Sequence, residues 1–131
     1  MPEIPEDLRF SEDHLWVGPA RDSVVQVGIT DYAQLNLGDA IDVRPPEVGA
    51  GLALGEACGE IESTKSVSDL IAPVTGTVES RNDELRESPD LVNSDPYGQG
   101  WILKVRLDPA TLEDQLARLM DASAYRNLTG D

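Results

Sequence analysis

The sequence predicts a mostly β protein, a sandwich or small barrel of short strands, with a short helix near residues 30–37 and a C-terminal helix near 109–121. Two observations carry this. Short runs rich in Val and Ile recur at close spacing, separated by Gly and Pro. Only the stretch after Asp108-Pro109 shows helical periodicity of any length, with Leu112, Leu116, Leu119 and Met120 on one face as core-packing residues.

In chain order, Phe10 to Val17 and Ser23 to Ile29 read as strands, with Gly18-Pro19 as the turn between them. Thr30-Asp31 supplies N-cap chemistry for a helix over Tyr32 to Leu37 that stops at Gly38. Ala40 to Val43 is a further strand, ended by Arg44-Pro45-Pro46, and Gly49 to Gly51 form a flexible turn. Gly55 to Glu62, Val67 to Ile71, Gly76 to Val78 and Trp101 to Leu107 complete the predicted β content. The polar segment Arg81 to Gly100 reads mostly as loop. Asp108 and Pro109 suit the N-cap and first turn of the last helix. With 131 residues and no linker or repeat, the chain predicts one domain over 1–131.

Composition narrows the function. Ten basic residues stand against 25 acidic ones, a formal charge of −15. Nucleic acid and anionic membranes repel such a chain, whereas basic docking patches attract it in a salt-sensitive way. No apolar run reaches the roughly eighteen residues of a membrane span. The acidic start, with two prolines before Phe10, resembles neither a secretory signal nor a transit peptide, so a cytoplasmic location is expected. The one cysteine, Cys58, has no disulfide partner within the chain and reads as a small packing residue. The single histidine, His14, offers no metal cluster and reads as a partly exposed loop or strand residue. Trp16 and Trp101 read as core aromatics. Gly49-Ala50-Gly51 lacks the Gly-Lys-Ser/Thr of a phosphate loop. No catalytic constellation emerges.

The informative stretch is Gly59 to Gly76. Two β-type segments flank a polar core, Glu62-Ser63-Thr64-Lys65-Ser66, which puts Lys65 at or beside a hairpin tip. Small neighbours leave its amine open to an incoming enzyme. An exposed lysine is an ammonium at neutral pH, so that enzyme has to supply the activation. A Schiff-base lysine needs burial or nearby cations, and the neighbours Glu62 and Asp69 provide neither. On these residues alone, an ordinary turn lysine remains the plainer alternative.

Four blocks in order then resemble one family. Glu62-Ser63-Thr64-Lys65-Ser66 with Ser68-Asp69 is similar to the lipoyl-attachment motif, of Glu-Ser-Val-Lys-Ala form, of glycine cleavage H proteins. Gly28-Ile29-Thr30-Asp31-Tyr32-Ala33-Gln34, Asp42-Val43 with Pro46-Glu47-Val48-Gly49, and Pro89 to Gly98 with Gly100-Trp101 resemble further blocks of that family. The resemblance implies a flattened barrel-sandwich hybrid of two antiparallel sheets, an attachment hairpin at 55–78, and lipoate in amide linkage to Lys65.

It also implies a carrier rather than an enzyme. Such a carrier takes an aminomethyl group from a pyridoxal-phosphate glycine decarboxylase (P protein) to a tetrahydrofolate-dependent aminomethyltransferase (T protein). A flavin-dependent dihydrolipoamide dehydrogenase (L protein) then reoxidises it, and a lipoyl or octanoyl transferase or ligase attaches the cofactor. The loaded arm is a cation that the family shelters in an acidic cleft. Asp69 occupies the family's acidic position, while Leu15 stands where the His-Glu-Trp segment usually has its carboxylate. Either Asp13 substitutes, with Glu12 as a further candidate, or the loaded arm is held less tightly. Three alternatives remain beside this reading: a lipoate scaffold of another pathway such as sulfur metabolism, the lipoyl or biotinyl module of a larger enzyme, and an unmodified acidic interaction module.

Overall fold

The structure, a computed structural model, describes residues 2–130. Alternation of side chains sends one row of each central strand into the interior. In Val24–Ile29 (β3), Val25, Val27 and Ile29 are buried; in Leu103–Arg106 (β9), Leu103 and Val105 are buried and Lys104 and Arg106 exposed. These two strands pair at the middle of a six-stranded sheet with Arg9–Phe10 (β1), Leu15–Val17 (β2), Gly51–Leu52 (β5) and Gly76–Arg81 (β8), in the order β1-β2-β3-β9-β8-β5. A second sheet of three strands, Ala40–Arg44 (β4), Ala57–Ser63 (β6) and Val67–Ile71 (β7), runs in the order β4-β6-β7. All pairings are antiparallel, and the two sheets stay separate rather than closing into one barrel.

The sheets meet face to face. Val25, Val27, Val78 and Val105 from the larger one share a core cluster with Val43, Ile61 and Leu70 from the smaller. Each such side chain, fully buried, contributes about 1.5–3 kcal/mol of transfer free energy. A second cluster, built on Phe10, Trp16, Ala122 and Tyr125, lies at the β1 end of the large sheet. The two-sheet, mostly β expectation therefore holds.

Several boundaries differ from the sequence reading. The expected strand Phe10 to Val17 is a hairpin, β1 and β2, with Phe10 opposite Trp16. The intervening Ser11–His14 turn is closed by Ser11 Oγ, which accepts from the Leu15 N–H at 3.2 Å, and His14 sits at φ 67. The helix near 30–37 is present as Asp31–Leu37 (α1), with Thr30 Oγ1 accepting the Ala33 N–H at 3.1 Å. The segment 81–100 is mostly turn and loop, as expected, but it is not featureless. It holds a 3-10 turn at Asp83–Arg86 and a helical turn at Leu91–Ser94 (α2), drawn together by Asn82, whose amide donates to the carbonyls of Gln99 and Trp101.

The single C-terminal helix expected over 109–121 is two shorter helices, Leu112–Arg118 (α3) and Ala122–Thr129 (α4). Asp108 forms a turn instead of a cap, accepting the Ala110 and Thr111 N–H groups at 2.9 and 3.0 Å. The first helix stops because Met120 exchanges both backbone hydrogen bonds with Phe10, each 2.8 Å, and this bridge demands extended backbone at Leu119. Asp121 then caps α4, and Gly130 ends it in the left-handed region. Leu112, Leu116 and Leu119 still pack on the main core, whereas Met120 packs on the second cluster.

Trp16 lies flat across Gly28, its cross-strand partner, and donates from Nε1 to the Pro96 carbonyl at 2.9 Å. A Cβ on Gly28 would sit 2.6–2.9 Å from the indole. Gly28→Ala is therefore expected to lower unfolding free energy by about 1–3 kcal/mol through overpacking, read by urea denaturation; unchanged stability would contradict this packing.

Candidate functional site

β6 and β7 are joined by a turn whose geometry Ser63 imposes. Its backbone N–H donates to the Ser66 carbonyl at 2.8 Å, and its buried hydroxyl accepts from the N–H groups of Lys65 and Ser66 at 3.2 and 3.1 Å. A short hydroxyl side chain satisfies two turn amides this way. Thr64 and Lys65 are left exposed at the tip, and no ion pair engages Lys65 among the described residues.

The tip is tied to the end of α1. Thr64 N–H donates to the Asp39 carbonyl at 3.1 Å. The Lys65 side chain crosses Gly38, where a Cβ would meet its Cε at 2.9 Å; Gly38 has φ 83 and ψ −165, a region almost reserved for glycine. Asn93, on α2, fixes this junction: its amide donates to the carbonyl of Gly38 at 2.8 Å and to Gln34 Oε1 at 3.1 Å, and its oxygen accepts the Ala40 N–H at 2.9 Å.

Beside the tip lies a cleft of about 360 Å³ between the β1–β2 turn, α1 and β7. Ser66, next to Lys65, and Leu37, next to Gly38, both line it. So do Asp13, His14, Tyr32, Ser68 and Asp69, giving the cleft two carboxylates, serine hydroxyls and two rings 4.8 Å apart and tilted by 36°. His14 is held from behind. Its Nδ1 is 2.8 Å from Tyr125 Oη, which is 2.7 Å from Thr30 Oγ1, and its carbonyl accepts the Thr30 N–H at 3.1 Å. Burial lowers the His14 pKa from 6.5, with the Asp13 charge opposing it.

A larger groove of about 740 Å³ lies on the other side of Asp13, between that turn and α3, and includes none of residues 63–66. Its lining is led by Leu54, Pro73, Leu119 and Met120. Polar side chains, Glu12, Asp114, Gln115 and Arg118 among them, line it too, but it does not reach the tip.

The sequence-singled residues thus divide. Lys65, Ser63, Thr64 and Ser66 form the tip; Asp69 and Asp13 meet across the cleft. Glu12 lines the apolar groove instead. Glu62 belongs to the outer face of the small sheet, where its carboxylate accepts from Arg44 at 2.6 Å beside Glu60 and Asp42. Leu15 is buried at the cleft floor. His14 is a cleft residue rather than the plain loop or strand residue expected. Tyr125, Tyr32 and Asn93 were not singled out. The Asp121 and Gly130 punctuation around Tyr125 is the signal that would have exposed α4. Cys58 is half-buried against the core, and burial pushes its thiol pKa up.

A family model described as glycine cleavage H-protein matches residues 8–131. The chain belongs to the glycine cleavage H-protein family. It is 57% identical over 127 residues to the glycine cleavage system H protein of Mycobacterium avium, and 55% identical over 126 residues to that of Mycolicibacterium smegmatis, with 96% of both chains covered each time. The crystal structure of a glycine cleavage system H protein from Mycobacterium marinum superposes with a TM-score of 0.87 at 40% identity, covering 98% of this chain and 100% of that one. The span shared with the H-protein family takes in the β1–β2 hairpin, the Lys65 turn, the cleft and both C-terminal helices. No helix among the described residues is long and apolar enough to cross a membrane.

Two outcomes follow from this geometry. Asn93→Ala is expected to cost about 1–3 kcal/mol by leaving buried amide and carbonyl groups unpaired, and to speed hydrogen exchange at Ala40; protection equal to wild type would remove Asn93 as the anchor. Because the folded His14 pKa lies below the unfolded value, the unfolded chain takes up this proton first. That stability contribution is complete above pH 6.5 and is lost as pH falls toward the folded pKa. A ring-proton titration by NMR should give a midpoint below 6.5; one at or above it contradicts the burial.

Proposed function

We propose that this chain is a lipoylated carrier of the glycine cleavage system, a single unit over 1–131 with no catalytic step of its own, and that Lys65 bears the lipoyl group in amide linkage. The observation that carries the proposal is an exposed amine on an ordered turn, directly beside an acidic cleft, in a member of the H-protein family. The residues present fit such a group. The Lys65 amine is open to a modifying enzyme, its backbone N–H is held by Ser63 and that of the adjacent Thr64 by Asp39, and the cleft is within the size range of small-ligand sites.

The lipoyl group supplies the disulfide and thiol chemistry that accepts the aminomethyl unit. The chain's own residues do the rest. Ser63, Thr64 and Ser66 present Lys65 without steric obstruction, with Glu62 in the motif serving the sheet through Arg44. Asp69 and Asp13 offer negative charge to the cationic loaded arm, and Tyr32 and Leu37 shield it from water. An arm that visits several active sites requires brief docking of modest area. The acidic surface suits fast, salt-sensitive encounters with the decarboxylase, the aminomethyltransferase, dihydrolipoamide dehydrogenase and the attaching enzyme, all in the cytoplasm.

Lys65→Arg is expected to leave the fold intact, gain no lipoyl mass on expression with lipoate, and support no glycine cleavage in a reconstituted four-component assay; a fully active variant defeats the proposal. Asp69→Asn is expected to speed loss of the aminomethyl group from the loaded protein, followed by intact mass. Release at the wild-type rate would exclude Asp69 from holding the arm.

A further inference from the structure

His14 is the one imidazole in the molecule, and it stands in the wall of an acidic cleft. A cleft that must keep a primary amine protonated is a poor place for a base. The hydrogen bonds behind the ring resolve this tension. Thr30 is fully buried, its Oγ1 already accepts the Ala33 N–H, and the only acceptor placed for its hydroxyl hydrogen among the described residues is Tyr125 Oη at 2.7 Å. If Tyr125 Oη accepts from Thr30, its own hydrogen is left to donate, and His14 Nδ1 lies 2.8 Å away as an acceptor. An imidazole whose Nδ1 accepts carries its proton on Nε2.

We infer that the Thr30–Tyr125 relay holds His14 as the Nε2–H tautomer, so that the cleft presents two carboxylates to a bound ammonium and no basic nitrogen. Tyr125 is then a positioning residue. Charging the ring would place a hydrogen on Nδ1 and force Tyr125 to turn its hydroxyl away within a site where it is fully buried. The charged and titratable groups around the ring are Asp13 on its own turn, Asp69 on β7, Tyr32 on α1 and Tyr125 on α4. The two carboxylates favour a cation, and they favour the arm's cation as much as the ring's.

The consequence rests on the reading that Lys65 carries an aminomethyl-loaded arm. A carbon bonded to both sulfur and an amine is safe while the nitrogen is an ammonium. Once a base removes that proton, the nitrogen lone pair forms a C=N bond as the C–S bond breaks, and sulfur leaves with the electron pair. A histidine held with Nε2 protonated cannot take the proton, so the relay protects the load.

The test has two arms. Long-range nitrogen–proton NMR of the unmodified protein at neutral pH is expected to show Nε2 protonated and Nδ1 bare, with Tyr125→Phe moving both resonances toward tautomer averaging. That variant keeps the ring that stacks on Phe10 at 4.7 Å. A wild-type Nδ1–H tautomer, or spectra unmoved by the substitution, overturns the inference whatever Lys65 carries. In the second arm, lipoylated protein is loaded from glycine by the decarboxylase and its loss of the aminomethyl mass is timed. Tyr125→Phe is expected to lose it at least about tenfold faster, the lower end of what a positioned base contributes. Tyr125→Phe combined with His14→Asn should return to near the wild-type rate. A double variant as fast as Tyr125→Phe alone would mean that the cleft had merely loosened, and would overturn the base argument. Wild type that never gains a lipoyl mass at Lys65 would instead defeat the carrier reading, leaving the tautomer to be judged by NMR.

Discussion

The junction between α1 and β4 is the constraint on which the site depends. Three residues, Gly38 to Ala40, leave the helix, pass under the Lys65 side chain and enter the small sheet. Each is tied: Gly38 and Ala40 by Asn93, Asp39 by Thr64. Without the positive φ at Gly38 the chain could not turn there, and with any side chain at Gly38 the lysine stem would be displaced. The junction thus sets the height of the tip above the cleft, and a helical turn remote in sequence, the one bearing Asn93, acquires its role as the brace of that junction.

Electrostatics and architecture are coupled through the arginines. Arg44 is surrounded by Asp42, Glu60 and Glu62, while Arg81, Arg106, Arg118 and Arg126 each meet one carboxylate. Exposed pairs of this kind contribute little stability individually. Their effect is to use up much of the positive charge locally, so the field presented to a partner is that of the surplus acid. Lys65 stands apart from all of these pairs. Lys104 instead lies over the Trp101 ring, 5.3 Å from its centroid.

The large features were legible because their signals are local. A run of Val and Ile marked β3, and Thr30 with Gly38 bracketed α1. The tip was legible from composition, since a run of small polar residues between two β segments has nowhere to go but a turn. What failed to show was long-range competition. The Leu112 stripe was a sound helix, yet nothing nearby says that Phe10 claims Met120's backbone and ends it. The same holds for the cleft. His14 and Tyr125 are 111 positions apart, and a lone histidine carries no local sign of the hydroxyl that fixes its proton. Glu12 and Asp13 were indistinguishable as adjacent acids until the turn sent them to different sides, Asp13 to the cleft and Glu12 to the groove alone.

The half-buried Cys58 acquires meaning beside the lipoyl group proposed for Lys65. Burial keeps its sulfur protonated, and a protonated thiol is a weak nucleophile toward disulfides. A carrier whose passenger is itself a strained disulfide has to avoid becoming that passenger's reaction partner, because a mixed disulfide with the scaffold would strand the arm. By seating its one thiol against the core, this chain leaves redox exchange to the enzymes it visits.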